Sequence, residues 1–429
     1  MMAKPVTERP SVTDRLMEAV CEPENLSQAL KRVRANKGAP GVDGMTTQQL
    51  AWHLKEHWQT IRTQLLEGTY RPQPVRRIEI PKPDGGIRKL GIPTVQDRFI
   101  QQALMQVLQE QWDRTFSNYS YGFRPGRSAH QAIAQAQSYI EAGYMWVVDL
   151  DLEKFFDRVN HDVLMSRVAK RVSDKRVLKL IRAFLTAGVL ENGLVGMTEE
   201  GTPQGGPLSP LLSNLLLNDF DQELEKRGLN FVRYADDCNV YVRSERAGLR
   251  VMAGLTAFLG KQLRLKVNES KSAVARPEER KFLGFTFLKG KRIYRAIAPQ
   301  SLAKFKAKIQ KLTRRTRGIS LERMVAELRR YLTGWKGYFG FSEVSSVLRK
   351  LDEWVRRRVR CYLWKQWKTR PRRLKELVYR GVKGRLAAQT AGSALGPWCI
   401  SCSPALSIAL PIRYFEALGL PSLWKKPIN

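Results

Sequence analysis

The sequence predicts an α+β protein in which helices and short antiparallel strands mix over residues 70–290, followed by helices alone. Three observations support this prediction. The chain has 429 residues, too many for one compact core. Short runs of β-forming residues within 70–290 are bounded by turn residues, whereas the segments after residue 293 are amphipathic, basic and helical. Hydrophobic residues make up 43% of the chain, enough to bury substantial cores.

Periodicity and turn chemistry predict the individual elements. Helices are predicted at 14–35, 47–67, 97–111, 161–172, 175–187, 208–226, 249–265, 301–316, 320–334 and 343–366. Strands are predicted on both sides of the Asp-Gly turn near residue 84, at 145–152, as a strand–turn–strand unit over Phe231–Val242, and at 282–287.

The charge of the chain predicts a polyanionic partner. The formal net charge is +34, and Lys and Arg displace the counterions condensed on phosphate. The segment Lys291–Asn429 holds 32 Lys and Arg against 7 Asp and Glu, which leaves +9 for residues 1–290. We therefore expect the C-terminal third to be the main nucleic-acid grip. A membrane-surface protein is disfavoured, because the basic residues are not gathered beside an apolar segment.

Composition argues against several other classes. Five cysteines do not make a disulfide framework in a chain of this size, and neither a signal sequence nor a membrane-length apolar run is visible, so we expect a cytoplasmic protein. Zinc is not expected, because Cys399 and Cys402 form a single CxxC pair and all four histidines lie within the first 161 residues. No Walker A or GxGxxG element is present.

Two groups of acidic residues carry the chemistry. Tyr234-Ala-Asp-Asp237 places adjacent carboxylates at a hairpin tip, and Trp146-Val-Val-Asp-Leu-Asp151 places Asp149 and Asp151 on one face at the end of an apolar strand. If the two segments are neighbours, their carboxylates can hold two Mg²⁺ ions (Mn²⁺ is a possible substitute) for in-line phosphoryl displacement. Alone, the hairpin tip would be compatible with an ordinary Asp-rich turn.

Several ordered segments resemble those of the bacterial reverse transcriptases and maturases encoded by group II introns, in a form lacking the endonuclease. The resemblance covers nearly the whole chain. Its segments are Gly41-Val-Asp-Gly44, Pro81-Lys-Pro-Asp-Gly-Gly-Ile-Arg88, Tyr121-Gly-Phe-Arg-Pro-Gly-Arg-Ser128, Asp151-Leu-Glu-Lys-Phe-Phe-Asp157, Tyr234-Ala-Asp-Asp237 and Phe282-Leu-Gly-Phe285.

The resemblance implies roles for matching positions. Asp151, Asp236 and Asp237 would be the catalytic, metal-binding aspartates, with Asp149 a supporting residue or a fallback. Residues expected to contact the dNTP are Lys82, Arg88, Phe156, Gln204 and Lys271. A bulky ring at Phe156 would exclude a 2′-hydroxyl, although a plain core aromatic is about as compatible with the sequence. Lys82 and Arg88 would otherwise suit a solvated turn, and Lys271 an ordinary surface lysine.

The C-terminal part resembles a thumb, or maturase domain, followed by a short DNA-binding domain. Arg329-Arg-Tyr-Leu-Thr-Gly-Trp-Lys-Gly-Tyr338 mixes cations with aromatics, a combination that suits phosphate contact and base stacking. Trp335 is expected in a core. The cations expected to contact nucleic acid are Arg124, Arg329, Arg330, Lys336, Arg356, Arg357 and Arg360.

Taken together, the resemblance implies a right-hand polymerase. We expect an N-terminal extension over 1–70, fingers and palm over 71–292, a thumb over 293–366 and a C-terminal DNA-binding domain over 367–429. The implied function is RNA-directed DNA synthesis from dNTPs and a DNA primer or target, with binding of intron RNA to assist splicing. Two alternatives remain open: a domesticated reverse transcriptase in repair or defence, and an RNA-folding maturase without catalysis.

Overall fold

A computed structural model describes residues 15–81, 86–191, 194–196, 200–202 and 205–424. The chain forms two compact units, Met1–Arg276 and Pro277–Asn429. The first mixes helices with two four-stranded sheets, and the second is helical apart from one hairpin. This confirms the predicted α+β class. The four-part domain division remains a prediction.

The first unit contains ten α-helices, one short 3-10 helix (Asp113–Thr115) and eight strands within the described residues. The helices are α1 (Leu16–Val20), α2 (Pro23–Asn36), α3 (Leu50–Glu67), α4 (Val95–Trp112), α5 (Ala129–Glu141), α6 (Phe155–Arg158), α7 (His161–Ala169), α8 (Lys175–Leu185), α9 (Ser209–Lys226) and α10 (Glu245–Leu263). The strands are β1 (Val75–Pro81), β2 (Ile87–Ile92), β3 (Trp146–Leu150), β4 (Val189–Glu191), β5 (Leu194–Gly196), β6 (Asn230–Tyr234), β7 (Asp237–Val242) and β8 (Ala273–Ala275).

The two sheets of the first unit differ in how they are built. One has the order β6-β7-β3-β8 with every neighbour antiparallel, and Val148, Phe231 and Val240 on it are fully buried. The other has the order β2-β1-β4-β5, in which the predicted β1–β2 hairpin continues through a parallel pairing of β1 with β4. One apolar core runs from Leu16 to Val267.

The second unit begins with a hairpin and continues as helices around one core. The hairpin strands are β9 (Phe285–Lys289) and β10 (Ile293–Ile297). The helices are α11 (Pro299–Leu312), α12 (Leu321–Phe339), α13 (Ser345–Gln366), α14 (Arg370–Tyr379), α15 (Gly384–Ala391), α16 (Pro397–Ile400), α17 (Pro404–Ala409) and α18 (Ile412–Ala417). Its core extends from Ile297 to Leu423, so the short helices after α13 share the core of α11–α13.

The structure corrects several predicted elements. The helix expected at 14–35 is two helices, because Pro23 cannot donate to the preceding turn and instead begins α2 in its first turn. The prediction missed α5, which follows Ser128 as a complete capping box with Gln131. It also missed α6, α14–α18, β4, β5, β8 and β10. Within the described residues, no helix is long and apolar enough to cross a membrane.

Candidate active site

The register between β3 and β7 brings the two acidic segments together. Leu150 pairs with Cys238 in an antiparallel ladder, so extending the register by one residue sets Asp151 opposite Asp237. Directly opposed residues in such a ladder have Cβ atoms about 5 Å apart. The two acidic segments are therefore neighbours, which is the condition the sequence analysis placed on a metal site.

The backbone of Asp151 is held from its other side by residues 268–272. Asp151 N donates to Ser272 Oγ (3.0 Å), and Asn268 N donates to the Asp151 carbonyl (2.8 Å). These bonds hold the Asp151 backbone in line with β3, directly after Leu150, the last residue of the strand that pairs with β7. The sequence analysis noted only Lys271 in this segment and missed Asn268 and Ser272. A polar Asn-Glu-Ser turn was the available signal, but it did not indicate which strand it would contact.

The turn between β6 and β7 has an unusual backbone at Ala235. Ala235 is buried and has φ +59°. Residues other than glycine, asparagine and aspartate rarely adopt this left-handed conformation. Such a residue costs on the order of 1–3 kcal/mol and persists only where its surroundings fix it. Part of the surroundings is Gly122, where an added Cβ would lie 2.3 Å from Ala235 N. The glycine of the 121–128 segment is thus required by close approach to the acidic turn.

All three aspartates line a single cavity of about 990 Å³. Asp236 is half-buried and Asp237 is exposed. The cavity is bounded by the β1–β2 hairpin, the end of β3 with α6, the 200–202 segment, the acidic turn, and residues 268 and 271. Its charged lining residues are Arg77, Lys89, Asp151, Glu153, Lys154, Asp157, Glu200, Asp236, Asp237 and Lys271. It therefore offers carboxylates and cations together, as a metal-bound polyphosphate requires.

Phe156 lies on the wall of this cavity, half-buried, with its ring 5.1 Å from that of the buried Phe155. The backbone beneath it is fixed by the glycine-rich segment, since Thr202 N donates to the Phe156 carbonyl (2.7 Å). Gly201 has φ +92°, and a Cβ there would lie 2.9 Å from the same carbonyl. Phe156 also lines a second cavity of about 500 Å³, while it packs against the apolar core of the first unit.

The residues expected to contact the dNTP are only partly described. Lys82 and Gln204 lie outside the described residues, and for Arg88 only the backbone, in β2, is described. Lys271 lines the cavity with Phe156. Lys89, which the sequence analysis did not single out, lines it as well. Its position opposite Glu79 in the β1–β2 ladder could not be read from charge alone.

Asp149, the fallback for the metal site, lies in β3 and does not line the cavity. With its amide oriented to satisfy both groups, Asn239 donates to Asp149 Oδ1 (3.0 Å). Asp149 therefore contacts the neighbouring strand, in keeping with the supporting role that was its first interpretation.

The available ligands fit an Mg²⁺ ion whose coordination is completed by substrate better than a metal site formed by protein ligands alone. Within the described residues, no three His, Cys, Asp or Glu side chains are grouped so that they could hold a metal ion by themselves. Mg²⁺ is commonly held by one or two carboxylates together with waters and substrate phosphates, which matches Asp151, Asp236 and Asp237 on an open cavity. Burial raises the pKa of the adjacent Cys238, so its protonated thiol is a poor ligand.

Arg124, a predicted nucleic-acid contact, is buried and engaged inside the first unit. Its side chain is 4% exposed, and it pairs with Asp113 (2.8 Å) while donating to the carbonyls of Ser117 (2.5 Å) and Ser120 (2.9 Å). Removing it from these partners would leave buried acceptors unsatisfied. Arg124 is therefore a structural residue, and its motif neighbour Gly122 is the one that meets the acidic turn.

Four of the expected C-terminal contacts are also engaged inside the second unit. Arg329 donates to the carbonyls of Leu418 (3.0 Å) and Gly419 (2.7 Å), and Lys336 to that of Ser422 (2.7 Å). Arg357 donates to the Trp398 carbonyl, and Arg360 to that of Leu410. These bonds tie the C-terminal segment to α12 and α13, while Arg329 itself remains exposed. Arg330 is exposed, Arg356 is half-buried, and Trp335 is in the core as expected.

Comparison with known families gives two matches. Residues 80–287 match the reverse transcriptase (RNA-dependent DNA polymerase) family, and residues 302–378 match the group II intron maturase-specific domain. The two matches follow one another in the chain without overlapping.

Individual relatives agree with these families. Protein YkfC of Escherichia coli is 35% identical over 66% of this chain and 83% of its own length. The group II intron-encoded protein LtrA of Lactococcus lactis is 36% identical over 52% of this chain, which spans 37% of LtrA. The putative COX1/OXI3 intron 2 protein of Saccharomyces cerevisiae is 30% identical over 51% of this chain and 25% of its own length.

A reverse transcriptase domain followed by a maturase-specific domain defines the class of protein. This chain belongs to the family of reverse transcriptases and maturases encoded by group II introns. The expected resemblance is thereby confirmed.

Proposed function

We propose that this protein is an active RNA-directed DNA polymerase that uses Mg²⁺ and dNTPs. The observation that carries the proposal is the β3–β7 register, which sets Asp151 opposite Asp237 on the wall of one cavity. The positive φ at Ala235, in the turn that carries Asp236 and Asp237, supports a retained active site, because strained residues cluster at such sites. Asp151, Asp236 and Asp237 are the proposed metal-binding residues.

Each part of the cavity then has a task in nucleotide transfer. Asp151 and the turn aspartates would hold two Mg²⁺ ions, which when bound would favour ionisation of the primer 3′-hydroxyl and neutralise charge on the departing pyrophosphate. Lys89 and Lys271 both line the cavity and would orient the triphosphate. Lys82, Arg88 and Gln204 remain proposed dNTP contacts from their motif positions.

Phe156 is proposed to select the sugar. Its half-buried ring lies on the cavity wall and its backbone is fixed by Thr202 and Gly201, so it cannot move aside easily for a 2′-hydroxyl. Replacing it with alanine should increase incorporation of rNTPs relative to dNTPs in single-nucleotide extension. Unchanged sugar discrimination would remove Phe156 from the site.

The second unit is proposed to bind intron RNA. Its maturase-specific match supports this, and α11 supplies a suitable surface. Lys304, Lys308 and Lys311 are exposed and lie one helical turn apart, while Phe305 and Ile309 of the same helix are fully buried. Exposed lysines on a helix anchored by its apolar face suit the phosphate backbone. Arg330 and Arg356 remain candidate contacts.

Primer extension on an RNA template tests the catalytic proposal. We expect extension by the wild-type protein in Mg²⁺, its loss in Asp236→Ala, and unchanged RNA binding by both. Asp162→Ala is the matched control, since Asp162 is an exposed aspartate of the same unit outside the cavity. A wild-type protein that binds primed RNA but never extends it would favour the RNA-folding maturase instead.

A further inference from the structure

A buried arginine lies directly beneath the acidic turn. Arg233, the last residue but one of β6, is 1% exposed. It donates from Nε (2.6 Å) and Nη2 (2.5 Å) to the two carboxylate oxygens of Asp221. The remaining bonds run from Nη2 to Ser120 Oγ (2.8 Å), and from Nη1 to Asn214 Oδ1 (3.1 Å) and the Ala235 carbonyl (2.8 Å). All five guanidinium N–H groups are thus used.

One of these bonds controls the backbone that carries the aspartates. The Ala235 carbonyl belongs to the planar peptide that leads into Asp236, so the bond from Arg233 sets the orientation of that whole peptide. Asn214 reinforces it, because its Nδ2 donates to the carbonyl of Gly122 (2.8 Å), the residue packed against Ala235 N. The positive φ of Ala235 is therefore held from both sides.

Stability alone does not account for a charged pair at this position. A buried ion pair is often no more stable than apolar side chains of similar volume, because both charges must be removed from water. Burial opposes the charge on Arg233, but Asp221 outweighs it and raises the guanidinium pKa above its ordinary value. What an apolar pair could not supply is a rigid donor aimed at the Ala235 carbonyl.

We propose that Arg233, oriented by Asp221 and Asn214, is a positioning residue that sets the geometry of Asp236 and Asp237 for divalent-metal binding. The inference rests on the proposed polymerase function. It predicts that loosening Arg233 weakens metal binding even when the protein stays folded. Residues that orient metal ligands typically contribute 10–100-fold to metal affinity or activity.

The test compares two changes at the pair with one control. Arg233→Lys keeps the charge but cannot contact both Asp221 oxygens and the Ala235 carbonyl together. The double variant Arg233→Met/Asp221→Leu removes both charges, so it retains the fold without an unpaired buried ion. Arg176→Lys is the control, because Arg176 also pairs with a nearly buried carboxylate, that of Asp174, and makes no bond to the turn.

Two measurements are made on each folded variant. Mn²⁺ binding is followed by electron paramagnetic resonance with a chain-terminated primer, an RNA template and a dNTP, and the Mg²⁺ requirement is followed by primer extension. We expect Mn²⁺ affinity to fall by roughly tenfold or more, and the half-saturating Mg²⁺ concentration to rise, in both Arg233 variants but not in Arg176→Lys.

Either of two results would overturn the inference. Wild-type Mn²⁺ affinity in the folded double variant would show that Arg233 has only a structural role. An equal loss in Arg176→Lys would show that any arginine change acts through general stability. The Mn²⁺ measurement also separates the two proposals. Wild-type protein that binds Mn²⁺ but fails to extend primers would refute the proposed function. The ratio of the Mn²⁺ affinities of the wild-type protein and the Arg233 variants would still decide the role of Arg233.

Discussion

The two compact units use arginine in different ways. In the first unit, buried or half-buried arginines pair with carboxylates, as Arg233 does with Asp221 and Arg124 with Asp113. In the second unit, some arginines also pair with glutamates, as Arg317 does with Glu327, but others are satisfied by backbone carbonyls and aromatic rings. The guanidinium carbon of Arg357 lies 3.8 Å from the centroid of the Trp398 ring, and the same side chain donates to the Trp398 carbonyl. Arg360 donates to the carbonyl of Leu410.

Composition explains this difference. From residue 291 onward there are 32 Lys and Arg but only 7 Asp and Glu, so most cations cannot find a carboxylate. Planar guanidinium groups can stack on rings and donate to carbonyls instead. A basic segment is therefore not equivalent to a phosphate-binding surface. In this chain many arginines build the second unit, and the exposed lysines of α11 are the better candidates for contact with RNA.

The largest effect should come from breaking an arginine–carboxylate pair in the first unit. Asp221→Leu leaves the charge of Arg233 buried without its partner and should destabilise the unit by about 3–5 kcal/mol in denaturant unfolding. The double variant with Arg233→Met should recover most of that loss. A single variant within about 1 kcal/mol of wild type would mean that water or another acceptor replaces Asp221.

The next largest effect should separate the RNA-binding surface from the structural arginines. Changing Lys304, Lys308 and Lys311 together to Gln should weaken RNA binding and reduce the salt dependence of log K by roughly 2–3, because each phosphate contact contributes about 0.7–0.9. Stability should be unchanged. The control removes three exposed lysines from the first unit, at Lys170, Lys175 and Lys179. Equal losses in both variants would show that only net charge matters.

A smaller effect is expected from changing an arginine of the second unit that stacks on an aromatic ring. Arg357→Gln removes the stacking on Trp398 and the bond to its carbonyl, which should destabilise the second unit by about 1–2 kcal/mol. RNA affinity measured at constant salt should change by less than about twofold, because the side chain is engaged internally. A large loss of RNA affinity without loss of stability would return Arg357 to the binding surface.

The smallest effect concerns acid stability. The pKa values of Glu18 and Asp174 lie below their ordinary values. For Glu18 the main cause is its bond from Arg176. For Asp174, burial would raise the pKa, but the bonds from Arg176 and from the Met17 backbone outweigh it. A lowered folded-state pKa gives stability that is present above the unfolded pKa and is lost as pH falls through the folded value.

Solvent screening should limit this contribution to less than about 1 kcal/mol, seen as a fall in Tm below about pH 4. In Glu18→Gln/Asp174→Asn the fall should be shallower. The carbonyl and ring contacts of Arg357 and Arg360 contain no acid to titrate, so hydrogen exchange resolved by peptide fragment should report this acid effect near α1 and α8 rather than near α13. Equal acid sensitivity near α13 would contradict the comparison.

Local signals predicted the acidic hairpin and its neighbouring strand well. Short runs of β-forming residues on both sides of the acidic pair identified Phe231–Val242 as two strands with a turn, and β-forming residues before Asp151 identified β3. Both patterns are contained in a few consecutive residues. The β3–β7 register could not be read in this way, because it depends on which of several strands pair across a separation of about ninety residues.

The internal partners of several arginines could not be read from the sequence. Arg124 and Arg357 were expected to contact nucleic acid, and only the fold identifies their partners, Asp113 and the Trp398 carbonyl. Arg233 was overlooked for the same reason: next to an acidic turn, a cation appears unremarkable until its burial and its bond to the Ala235 carbonyl are known. Burial depends on the tertiary structure and is not visible in residue type.

Iron-directed cleavage would test the central claim most directly. Fe²⁺ takes the place of Mg²⁺ in the complex with primer, RNA template and dNTP, and peroxide with ascorbate then cuts the backbone near the bound metal. We predict cuts beside Asp151 and beside Asp236–Asp237 in the same molecules, both lost in Asp236→Ala and both kept in Asp162→Ala. Cuts at only one of the two segments, or at neither, would contradict a shared metal site.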